Sequence, residues 1–79
     1  MSGMCNAGRV LPDGDVIFGA RVAAPFTFRQ HEVYFAGAVV SVSDDSASVS
    51  FPDERRPWQV QRDRLFEVLS LEDVNVNSA

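Results

Sequence analysis

The chain contains no lysine, one cysteine (Cys5) and one histidine (His31). With a single thiol and a single imidazole, neither an intrachain disulfide nor a Cys/His zinc site can be assembled. Those are the two staples that most often stiffen very small proteins, so the expected metal and cofactor content is none. No apolar run approaches the roughly 20 residues of a membrane-spanning helix, and no membrane partner is expected. The start, Met1-Ser2-Gly3-Met4-Cys5, has neither the basic nor the apolar stretch of a secretory leader, which points to an intracellular protein. Glycine-rich phosphate cradles are absent, and the one histidine has no serine or cysteine beside it to activate. Asp44, Asp45, Asp53 and Asp63 sit at expected turns, where carboxylates are ordinarily solvated. The chain therefore reads as a non-enzyme.

Seven arginines face eleven carboxylates, for a net charge of −4. That balance disfavours a nucleic-acid backbone, whose affinity comes largely from basic side chains, and favours a basic partner. With 46% apolar residues in 79, the chain is a single small domain. Ordering it costs roughly 1.5 kcal/mol per residue, so the apolar core, alone or helped by another protein subunit, must hold the fold.

β-Branched and aromatic residues fall in short clusters separated by Pro25, Asp44-Asp45, Pro52-Asp53 and Pro57. Such clusters are strand signals, and no window of about eleven residues or more keeps a helical apolar period. Five strands are expected: Ala20–Ala24, Val33–Val42, Ala47–Phe51, Trp58–Gln61 and Phe66–Leu69. Asp44-Asp45 makes the tight connection between the second and third. Gln61–Arg64 suits one 3-10 turn, and Gly37 marks a bend in the longest strand. Residues 1–14 read as a flexible lead-in holding Cys5, residues 15–69 as the folded unit, and residues 70–79 as a flexible acidic tail. The fold class is all-β, a five-stranded SH3-like barrel, whose closure removes exposed edges.

The stretches Phe18-Gly19-Ala20-Arg21-Val22-Ala23-Ala24-Pro25-Phe26, Val33-Tyr34-Phe35-Ala36-Gly37-Ala38-Val39-Val40 and Val49-Ser50-Phe51-Pro52-Asp53 resemble, in order and spacing, a Tudor domain. They are most similar to the Tudor modules of DNA-damage checkpoint adaptors, over roughly residues 17–69. The resemblance implies a Tudor-type barrel that reads methylated lysine, or secondarily arginine, in a histone or other basic protein tail in nuclear chromatin. Mapped residue by residue, it implies an aromatic cage of Phe26, Phe35 and Phe51, with Asp53 as the carboxylate. Aromatic faces attract a poorly solvated methylammonium by ~0.5–2 kcal/mol each. A carboxylate adds Coulomb attraction and accepts a hydrogen bond where an N–H remains.

The sequence departs from that pattern in three ways. Phenylalanine stands at Phe26 and Phe35, where those adaptors carry tryptophan and tyrosine. Glu54 or Arg55 falls at the fourth cage position, with Trp58 a few residues on as a replacement wall. The first loop, Thr27–Glu32, is about two residues longer than in those modules, and Phe28 is a second aromatic in it. With so small a cage, affinity is expected in the high-micromolar to millimolar range, roughly −4 to −6 kcal/mol.

Two alternatives compete. Phe26, Phe35 and Phe51 can equally be core, which leaves a structural protein–protein interaction domain with a degenerate cage. The other is a type II dihydrofolate reductase-like oligomeric enzyme, an SH3-like chain of similar length. Of the Val-Gln-Ile-Tyr motif of those enzymes, only Val60-Gln61 is present, and Arg62 follows.

Overall fold

The structure, a computed structural model, describes residues 4–71. Over the described residues it is all-β, with no helix beyond two 3-10 turns. The elements are β1 (Met4–Val10), a 3-10 turn (Asp13–Asp15), β2 (Arg21–Phe28), β3 (His31–Val42), β4 (Ser46–Ser50), β5 (Trp58–Gln61), a second 3-10 turn (Arg62–Arg64) and β6 (Phe66–Leu71). They form one sheet in the order β1-β6-β2-β3-β4-β5. Each pairing is antiparallel, and the sheet coils far enough for β1 to pair with β3 as well as β6.

Four of the expected strands lie where the β-branched clusters place them, with ends shifted by a few residues, and Trp58–Gln61 coincides with β5. The lead-in expectation is corrected. Residues 4–10 form a strand, and Cys5 is buried against Ala23 and Ala36. This strand hides its period because the ladder with β6 slips between Asn6 and Ala7 and again before Val10. Its packed residues are also small. A Cβ on Gly8 would lie 2.7 Å from the Glu67 Oε1 and 2.9 Å from the Leu69 Cδ2. Of the tail expected from residue 70, Ser70 and Leu71 belong to β6, and residues 72–79 lie outside the described residues.

The first loop is corrected too. Pro25 does not end a strand; β2 continues through it to Phe28, with Pro25 opposite Tyr34. What reads in sequence as the loop Thr27–Glu32 is a two-residue hairpin turn. Arg29 and Gln30 carry φ of 51° and 68°, and Phe28 faces His31 across the ladder. Positive φ at both central residues matches the twist of the flanking strands, which is why the hairpin can be so tight.

Alternation along β2 and β3 packs the sheet on both sides. Val22, Ala24 and Val39 join Val16, Ala47, Val49, Phe51 and Leu65 in the main core, while Ala23 and Ala36 meet Cys5 on the other face. Gly37 lies where β4 approaches closely: a Cβ there would be 2.6 Å from the Val49 Cγ1 and 2.7 Å from the Ser50 carbonyl oxygen. On the β3 edge away from β2, β1 pairs at Tyr34 and Phe35, and β4 takes over from Ala38. Arg62 fastens the connections. Its guanidinium donates to the carbonyls of Ser43 (3.0 Å) and Asp13 (3.1 Å). Two turns and the second 3-10 segment are thereby tied together.

Candidate functional site

The β2–β3 register sets the site. Directly opposed residues of an antiparallel pair share a face, and so do residues two apart on one strand. Ala24 opposes Phe35, Phe26 opposes Val33, and Phe28 opposes His31. Phe26, Phe28, Val33 and Phe35 therefore stand on one face near the hairpin tip. From the other side come Phe51, just past the end of β4, and Trp58, which opens β5 opposite Val49.

These rings meet around Phe26. Its centroid lies 5.6 Å from that of Phe35, 5.4 Å from Phe51 and 5.3 Å from Trp58, with interplanar angles of 89°, 80° and 81°. Edge-to-face contact is the favoured geometry for aromatic pairs, and it sets neighbouring rings as perpendicular walls. They line a cavity of about 420 Å³, together with Met4, Thr27, Phe28, Val33, Pro52, Asp53 and Glu54. The volume falls in the usual range for small-ligand pockets.

The walls differ in exposure. Phe51 is 5% exposed and belongs to the main core; Phe26 and Phe35 are half-buried against it. Trp58 is 46% exposed, yet its indole is held, because Nε1–H donates to the Glu54 Oε1 at 2.9 Å. Glu54 is brought there by the Pro52-Asp53 turn, closed by its own N–H on the Phe51 carbonyl at 3.1 Å. The carboxyl-bearing rim of the cavity is thus Asp53 and Glu54, and Arg55 and Arg56 continue the exposed loop beyond it.

All five residues singled out in the sequence, Phe26, Phe35, Phe51, Asp53 and Trp58, line this one cavity. Phe26 does so from a strand rather than from a loop. Trp58 occupies the fourth side. Sequence reasoning missed Met4 and Val33, and it missed Glu54 as the partner of the indole. Phe28 was visible only as a loop aromatic, although its spacing from Phe26 is the strand period. The exposed Phe28 ring already carries a cation, since the Arg29 guanidinium carbon lies 5.6 Å from its centroid. His31 is exposed at the hairpin. Among the described residues, no group of three His, Cys, Asp or Glu side chains is placed to share a metal ion.

Chemically, the cavity offers π faces, apolar contact and carboxylates at one edge. It suits a bulky, weakly hydrated cation better than an anion or a neutral polar group. No family model, curated protein or solved structure matches the chain.

Proposed function

We propose that this chain is a non-enzymatic reader module, an SH3-like barrel of Tudor type. It binds methylated lysine, and methylated arginine second, in a basic protein tail such as a histone's, as a nuclear chromatin protein would. The observation that supports this is the cavity of about 420 Å³ in which Phe26, Phe35, Phe51 and Trp58 meet at near right angles beside Asp53 and Glu54. In this reading Phe26 and Trp58 give the methylammonium its main π faces, with Phe35 beside them. Phe51 forms the floor, and the carboxylates supply the opposing charge.

A second reading rests on Phe51 being 5% exposed and on Phe26 being in edge-to-face contact with three rings. In it the rings are the packing of an interaction domain that takes an unmodified partner. An amide-resolved NMR titration with mono-, di- and trimethyl-lysine peptides separates the two. The reader gives shifts centred on Phe26, Phe35, Phe51, Asp53 and Trp58. No shift at millimolar peptide overturns it. Phe26→Ala abolishes the response and keeps a folded spectrum if the ring is a wall. A loss of the ~3–5 kcal/mol typical of a fully buried phenylalanine assigns it to packing instead.

A further inference from the structure

β5 ends the sheet: among the described residues its one strand partner is β4. The direction of its backbone groups follows from the register. Arg62 N–H donates to the Asp45 carbonyl at 3.1 Å, which continues the β4–β5 pairing by one step. Hydrogen-bonded and non-hydrogen-bonded pairs alternate along an antiparallel ladder. Counting back in twos, Val60 and Trp58 turn their N–H and C=O groups toward β4. Gln59 therefore points both of its groups away from the sheet, and Gln61 points its N–H the same way.

We infer that this edge seats the backbone of the peptide whose methylated side chain enters the aromatic cavity, so that the ligand adds to the sheet as an antiparallel strand beside β5. The inference rests on the reading of that cavity given above. Along the open edge, Gln59 and Gln61 would form the hydrogen-bonded pairs. A peptide residue opposite Trp58 then falls in a non-hydrogen-bonded pair, where facing side chains come closest. It also projects to the same face as the indole, which is the cavity face. A second, more open depression of about 670 Å³, lined by Asp53 to Gln59, leads from the cavity rim onto the start of β5.

The charges around the edge select a cationic strand. Asp53 and Glu54 stand at its beginning, Asp45 lies beside its end, and Asp44 and Asp63 are next to that. Of the nearby cations, Arg62 is engaged with Asp13 and Ser43, leaving Arg55 and Arg56 at the loop. β5 itself carries no charge and no proline, two common guards of an open edge. It is only four residues long, so its hydrogen bonds are too few to hold a peptide alone. The cavity is the second anchor, and backbone pairing plus one side-chain pocket is a recurrent mode of peptide capture.

The test uses two probes on the full chain: Nα-acetyl-trimethyllysine methylamide, which can reach only the cavity, and a short arginine- and serine-containing peptide around one trimethyllysine. The peptide binds more tightly, and hydrogen exchange slows at the Gln59 and Gln61 amides with the peptide alone. Gln59→Pro removes an N–H that the β4–β5 ladder does not use. It weakens the peptide by about fivefold, the worth of one net hydrogen bond, and leaves the amide derivative unchanged. A ligand-side control avoids any question of folding. Backbone N-methylation of the residue preceding the trimethyllysine, which faces Gln59, weakens binding, whereas N-methylation of the trimethyllysine itself does not. Equal peptide affinity in Gln59→Pro and in both methylated peptides overturns the edge while sparing the cavity. Exchange protection at Gln59 that grows with protein concentration in the absence of peptide also overturns it, by giving the edge to a second copy. If neither probe binds the unaltered chain, the cavity reading and the edge fall together.

Discussion

Phe26 occupies the centre of the aromatic group, in edge-to-face contact with three rings. A residue so placed contributes both packing and surface, whereas Trp58 is nearly half exposed and is aimed by the Glu54 carboxylate. Cys5 is the opposite case, a side chain with packing and no surface. Burial pushes its thiol pKa up, and Arg21 pulls back more weakly. Because the folded value is raised, the unfolded chain ionises first as pH climbs past the ordinary thiol range. The stability this contributes is intact below that range and is lost as pH rises through the folded value. The urea midpoint therefore falls between pH 8 and pH 10, and Cys5→Ala flattens the early part of that fall. Tyr34, whose phenol donates to the Glu32 Oε1 at 3.1 Å, is also raised and adds the same sign of slope in the phenol range. At this scale the sequence was informative about which rings matter through its resemblance to Tudor modules, which singles out Phe26, Phe35 and Phe51, with Trp58 a few residues on as a replacement wall. It was silent on Cys5, whose neighbours arrive from β2 and β3.

Among the elements, the β2–β3 hairpin does most to shape the site, since it carries Phe26, Phe28, Val33 and Phe35. Its turn is built from Arg29 and Gln30, two residues without a local preference for positive φ. The left-handed region costs an ordinary residue roughly 1–2 kcal/mol, against which the Arg29–Phe28 contact returns about 0.5–1 kcal/mol. Replacing Arg29-Gln30 with Asn-Gly should raise stability by about 1 kcal/mol, read as roughly 4–8 °C in the melting midpoint of a domain this size. An unchanged or lower midpoint would show that the turn is held by its side chains. This element was the least legible in sequence. Pro25 and the polar residues after it imitate a strand end, and nothing local reveals that Pro25 loses only one donor in a ladder that otherwise continues to Phe28.

For the molecule as a whole, eleven carboxylates against seven arginines set a negative field around a cavity suited to cations. Such a field speeds encounter with a basic partner and is screened within about a Debye length, roughly 10 Å at 0.1 M salt. Raising salt from 0.05 to 0.5 M is expected to slow association of a basic methyl-lysine peptide by about tenfold and to change dissociation much less. Stopped-flow fluorescence of Trp58 measures both rates. A salt-independent association rate would mean that the field plays no part in capture.

The β class and the rough positions of five strands were set by local composition, whereas the rings and Asp53 were singled out by the resemblance to Tudor modules. β-Branched and aromatic clusters prefer extended backbone wherever they occur, and prolines and paired aspartates interrupt it. Three other things were settled only by the way the sheet coils. They are the strand at Met4–Val10, the convergence of residues 26, 35, 51 and 58 on one cavity, and the outer side of β5, which is unpaired among the described residues. Each depends on which segments the fold brings together, namely Ser70 beside Asn6, Phe51 and Trp58 beside Phe26, and β4 on one side of β5, and such pairing leaves no periodic mark on either segment alone.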